Sequence, residues 1–112
     1  MTEWASAHYP TLCFSPKRPS EKITLGMDFV NLLGSGESIS STQWSIISVR
    51  PLNVSTAGML TGSATISGTK VFQQVQAGTN NTIYEITAQI TTSLTNILEE
   101  NAMLECTSSP YK

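Results

Sequence analysis

The chain has 112 residues, 39% of them hydrophobic and only 12% charged, with a formal net charge of −2; that length gives one domain that buries about two-thirds of its unfolded surface without needing a staple. The charged fraction is roughly half the globular norm of about 25%, and 15 Ser with 15 Thr cover the surface in its place. Six Lys and Arg scattered from Lys17 to Lys112 form no basic stripe for nucleic acid, no apolar run approaches the roughly 18–20 residues of a membrane span, and two Cys with one His do not complete a zinc site.

Residues 1–20 read as an extended N-terminal arm, punctuated by Pro10, Pro16 and Pro19 and lacking any regular period. Trp4, Tyr9, Leu12 and Phe14 are spaced through it, whereas solvated tails are poor in aromatics. The arm therefore covers an edge of its own domain or docks on a neighbouring subunit, and those four residues are the candidate partner-docking set. Residues 21–112 form the domain proper. Ile23, Leu25, Met27 and Phe29 alternate with polar residues as in a half-buried strand. Gly34-Ser35-Gly36 then allows a tight reversal. A second strand over 39–49 carries Trp44 and Ile46 on one face and Ile47 and Val49 on the other, which predicts a bulge between Ile46 and Ile47.

A loop follows over 51–62, anchored by Met59 and Leu60, then a short strand over 63–67 centred on Ile66. Gly68 turns the chain into a strand over 71–75 with Val71, Gln73 and Val75 on one face. The run Ala77-Gly78-Thr79-Asn80-Asn81 is a turn by composition. The clearest strand comes next, with Tyr84, Ile86, Ala88 and Ile90 inward and Glu85, Thr87, Gln89 and Thr91 outward. Ser93 to Asn96 closes a hairpin whose return strand points Ala102, Leu104 and Cys106 inward, with Glu100 at the strand mouth. Six or seven strands at this spacing, without a helical stripe, read as an all-β antiparallel sandwich.

Catalysis needs a titratable group held beside a partner. The one histidine, His8, lies in the arm, and the one aspartate, Asp28, lies on a polar strand face. The hydroxyls have no base to activate them, Glu85, Glu99, Glu100 and Glu105 read as a solvated strand face, and Gly34-Ser35-Gly36 lacks the ending of a phosphate-binding loop. No enzyme, cofactor or metal site is expected. Met1-Thr2-Glu3-Trp4 does not open a secretory signal, so synthesis in a cytoplasm is expected and Cys13 and Cys106 are expected as free thiols, a single disulfide being the alternative. The sequons at Asn53 and Asn80 then read as turn chemistry. Tyr84 sits where an immunoglobulin-type tyrosine corner would, but Cys13 in the arm does not fit that fold's disulfide.

The stretch Asp28-Phe29 … Leu32-Leu33-Gly34-Ser35-Gly36-Glu37-Ser38-Ile39-Ser40-Ser41-Thr42-Gln43-Trp44 resembles a small family of bacteriophage virion proteins, the fibre–tail adaptors. Gly62-Ser63-Ala64-Thr65-Ile66-Ser67-Gly68-Thr69-Lys70-Val71 and Thr82-Ile83-Tyr84-Glu85-Ile86-Thr87-Ala88-Gln89-Ile90-Thr91-Thr92-Ser93 continue the likeness, which covers roughly residues 14–107. The chain departs from the family's pattern at Leu94-Thr95-Asn96, where a glycine-containing turn is usual. The resemblance implies an immunoglobulin-like β-sandwich of about seven strands. It also implies a structural part of a phage tail, joining tail fibres or spikes to a ring, adaptor or nozzle protein in several symmetry-related copies, without nucleic acid or membrane. A cell-surface or carbohydrate-binding decoration domain is the alternative, and it would need exposed aromatics; Trp44 and Tyr84 are expected in the core.

Overall fold

The structure is a computed structural model that describes residues 2–4, 6–8, 11–14 and 16–108, with side chains described for Phe14 and 16–108. Among these residues every regular element is a strand: β1 (Thr2–Trp4), β2 (Ser6–His8), β3 (Thr11–Cys13), β4 (Ile23–Asp28), β5 (Ile39–Arg50), β6 (Leu60–Ser67), β7 (Lys70–Val75), β8 (Thr82–Thr92) and β9 (Ile97–Cys106). The body is two antiparallel three-stranded sheets, β4-β7-β6 and β5-β8-β9, packed face to face. The body thus has six strands where about seven were expected. The residues before it, which show no period in the sequence, add three strands of three residues each. β1 lies parallel on β4, β3 lies parallel on β9, and β2 folds back antiparallel on β3. Period-two patterning cannot reveal strands too short to complete two repeats.

The core forms where the alternation is cleanest. Leu25, Met27 and Phe29 from the β4 side meet Val71 and Val75 of β7, and across the sandwich they face Tyr84, Ile86, Ala88 and Ile90 of β8 and Ala102, Leu104 and Cys106 of β9. The polar partners of these residues lie outward, as period two requires. β5 behaves differently from its sequence reading. Its register with β8 runs without a break from Ser41↔Thr91 to Ser48↔Tyr84, and the irregularities fall at the two ends, between Ile39 and Ser41 and between Ser48 and Arg50. No bulge separates Ile46 from Ile47: Trp44 and Ser48 are buried, and Ile47 points to solvent. β6 likewise turns Ile66 outward, and a register break between Thr61 and Thr65 interrupts its pairing with β7. In β5 the adjacent apolar residues Ile46 and Ile47 are therefore one half-buried and one exposed, on opposite faces of a sheet edge.

The end of the sandwich that receives the arm is closed by polar contacts. The Thr79 N–H donates to the Tyr84 hydroxyl at 2.8 Å, five residues apart, which ties the 76–81 loop to the strand it feeds. Gly78 has φ +107°, and a Cβ there would stand 2.9 Å from the Cys106 sulfur, so only glycine fits. Lys17 is 1% exposed. Its ammonium donates to the carbonyls of Ala77 (2.5 Å) and Arg18 (2.7 Å), and its backbone bonds Glu105 and Thr107. Burial pushes the Lys17 ammonium below its ordinary range, with Cys106 and Glu21 acting against that. Cys106 is a free, buried thiol, and burial raises its pKa; the side chain of Cys13 lies outside the described residues.

Two substitutions test this packing. Tyr84→Phe removes the acceptor of the Thr79 N–H from a part-buried hydrogen bond, so it should cost about 1 kcal/mol in urea denaturation. Trp44→Ala should cost about 3–5 kcal/mol by the same measurement. An unchanged midpoint would show for Tyr84→Phe that the hydroxyl bond adds nothing to stability, and for Trp44→Ala that the indole is not part of the core.

Candidate functional site

The four residues singled out in the arm meet different fates. Trp4 lies on β1 and Leu12 on β3, but their side chains, and Tyr9 altogether, lie outside the described residues. Phe14 is 5% exposed and packs among the chain's own core residues, while its N–H donates to the Met103 carbonyl at 2.9 Å. The parallel pairing of β3 with β9 carries the chain straight into the sandwich mouth, which is why Phe14 turns inward.

At the opposite end three connections converge: 29–38 between β4 and β5, the turn between β6 and β7, and the β8–β9 hairpin at 93–96. Asp28 joins the first two, its Oδ1 accepting from the Val30 N–H at 3.0 Å and the Thr69 hydroxyl at 2.8 Å. Glu37 joins the first and third. Its Oε1 accepts from the Gly34 N–H at 2.8 Å, and its Oε2 accepts from the Thr92 hydroxyl at 2.5 Å and the Asn96 amide at 2.9 Å. Ser38 and Ser93 add a reciprocal pair: the Ser93 N–H donates to the Ser38 carbonyl at 2.8 Å and the Ser38 N–H to the Ser93 hydroxyl at 3.1 Å. The hairpin needs positive φ at Thr95 (64°), the position where the expected glycine is absent. On this cross-linked tip Val30, Leu32, Leu94 and Ile97 are all exposed. Four aliphatic side chains presented to water by two tied loops form a surface suited to contact rather than chemistry.

The rest of the surface agrees with that character. Depressions on the outer faces are shallow: about 180 Å³ beside Gln43, Thr87, Gln89 and Glu99, and about 300 Å³ beside Thr24, Ser63, Thr65 and Gln74. Their linings mix hydroxyls and amides with one aromatic each, Trp44 in the first and Phe72 in the second, and Gln89 donates to Glu99 at 2.8 Å. Among the described residues no three His, Cys, Asp or Glu side chains converge to hold a metal. Glu100 is half-buried beside the tip, and burial followed by the negative charge of Asp28 raises its carboxyl above the ordinary range.

Glu37 escaped the sequence reading because its partners lie 55 and 59 positions away. The Thr92 hydroxyl, then the Gly34 N–H and the Asn96 amide, hold its carboxyl below the ordinary 4.5. A depressed folded pKa contributes stability that is full above the unfolded value and is lost as pH falls through the folded one. Melting curves taken from neutral pH down through the carboxylate range should therefore show a wild-type loss that Glu37→Gln lacks, the two proteins converging in acid. Parallel curves would remove Glu37 from the tip's support.

A search of curated proteins gives no match. A family model described as "Podophage GP4 fiber-tail adaptor protein gp77" matches residues 17–105. The match begins at the buried Lys17, ends one residue before the last residue of β9, and takes in the whole six-stranded body together with the Glu37 tip. With that much of its length inside the match, the chain belongs to the podophage GP4 fibre–tail adaptor protein gp77 family.

Proposed function

We propose that this protein is a structural component of a podophage tail, an adaptor that joins fibres or spikes to the tail machine through protein–protein contacts. The observation that carries this reading is the family match across 17–105, which spans every element of the body. The surface supports it: exposed aliphatics on a braced tip, hydroxyl-rich faces, and a residue set without a positioned base. The burial of Trp44 and Tyr84 counts against the carbohydrate-binding alternative, which would need exposed aromatics.

The fold supports a closer comparison. The order β4-β7-β6 opposite β5-β8-β9 corresponds to strands B-E-D opposite C-F-G of an immunoglobulin-like domain. Tyr84 makes the corner hydrogen bond of such domains, Ile86 stands where their second cysteine would, and Trp44 occupies their C-strand tryptophan position. We assign the chain to that architecture, with residues 21–112 as the sandwich. In this reading the tip faces one partner, while Trp4, Tyr9 and Leu12 of the arm dock on another. The copies are symmetry-related within the virion, and the chain is made in the host cytoplasm.

Two experiments test the assignment. Purified tails should contain the protein stoichiometrically and show density for its sandwich between tail and fibre; tails that carry fibres without it would overturn the reading. Removing residues 1–13 retains Phe14, so the truncated protein should melt near the wild-type temperature yet enter tails poorly. Normal incorporation would take the docking role away from the arm.

A further inference from the structure

β5 is the last strand of its sheet, and its outer side has no strand partner among the described residues. Exposed sheet edges template pairing with another chain, and proteins blunt them with short strands, bulges, prolines or charges. The other edges here are blunted. β1 and β2 are three residues long, and β6 is broken between Thr61 and Thr65, where Gly62 adopts φ +71°. β5 is twelve residues long, and from Ser41 to Ser48 it is regular, free of proline and glycine, and uncharged. Its far end is covered by the loop that follows, where Leu52 bridges back to Val49 and the Val54 N–H donates to the Ser48 hydroxyl at 2.9 Å.

We infer that β5 is a self-association edge, pairing antiparallel about a two-fold axis with β5 of a second copy so that the two sheets become one. This goes beyond the adaptor reading and does not depend on it. The occupant follows from charge and pattern. Self-pairing sets like charges against each other in any strand that carries them, as β9 would with Glu99, Glu100 and Glu105. Ile39 to Val49 carries none, so β5 is complementary to itself. Its outer face alternates Ser41, Gln43, Ser45 and Ile47, all exposed, and opposing positions share a face when the pair is centred on Trp44 or on Ser45. Ile47 and Leu52, 54% and 70% exposed, flank that edge and lose water when a second strand arrives. A two-fold contact of this kind closes on itself and does not propagate into fibres.

The test uses the full chain alone in solution. Sedimentation over a hundredfold concentration range should show a monomer–dimer equilibrium, and hydrogen exchange should show alternate amides of 41–48 gaining protection as concentration rises. Ser45→Lys places a charge opposite or diagonal to its own copy and should weaken the dimer several-fold, with recovery at high salt, while its far-UV circular dichroism matches wild type. A protein that stays monomeric throughout, or a Ser45→Lys dimer as tight as wild type, overturns the inference. Either result leaves the adaptor reading intact, since that reading is judged by the composition of tails.

Discussion

Along β8, side chains from Thr82 to Thr92 are alternately buried and half-buried without an exception, and both flanking strands follow in register: β9 from Thr82↔Cys106 to Thr91↔Ile97, β5 from Thr91 to Tyr84. A slip of one residue would send Tyr84, Ile86, Ala88 and Ile90 into water and bring Glu85, Thr87 and Gln89 into the core. Burying each apolar side chain of that row is worth roughly 1.5–3 kcal/mol, so the slipped pairing has no competitive energy. The position of everything else follows. Tyr84 is placed to receive the Thr79 N–H at one end, Thr92 is placed to donate to Glu37 at the other, and β5 is left on the outside of the sheet.

The two ends of the sandwich use opposite electrostatic solutions. At the arm end a cation is taken out of water, and its ammonium donates to one carbonyl in the 76–81 loop and one in the arm. Desolvating an ammonium is expensive, and these charge-assisted hydrogen bonds offset part of that cost while tying the arm to the loop. At the tip the anion stays in solvent and works by reach, one carboxylate collecting three donors from two connections. The first arrangement is shielded from solvent. The second responds to pH and sits beside the exposed Val30, Leu32, Leu94 and Ile97.

Much of this fold can be read from residue order. β4, β7, β8 and the second half of β9 are legible because each buries a full row of alternating side chains, and the turns at 76–81 and 93–96 carry their own chemistry. β5 and β6 are less legible because an edge strand exposes apolar residues that a central strand would bury: Ile47 mimics a change of face that does not occur, and Ile66, the centre of its expected strand, is exposed. The tip is illegible for a different reason. Glu37 lies in a glycine-rich loop and looks like any solvated carboxylate, and only the pairing of β5 with β8 carries it to Thr92 and Asn96. Lys17 presents the same difficulty, since nothing local distinguishes a buried lysine from a solvated one.

The pairing of β3 with β9 also sets an order of events. Leu12 pairs with Ala102, about 90 residues further along the chain, whereas β8 and β9 are joined by a four-residue turn and β6 and β7 by an even shorter one. Contacts between nearby segments close first, because loop-closure entropy rises with the length enclosed. β3 is made well before β9 and is therefore among the last strands to find its place. Until residue 102 has emerged and β9 has added to β8, β3 can pair only with its neighbour β2, and Phe14 has no finished core to enter. The growing chain must hold the short β2–β3 pair off the body until β9 is in place, and the prolines at 10, 16 and 19, which cannot donate to a ladder, limit how far that pairing extends.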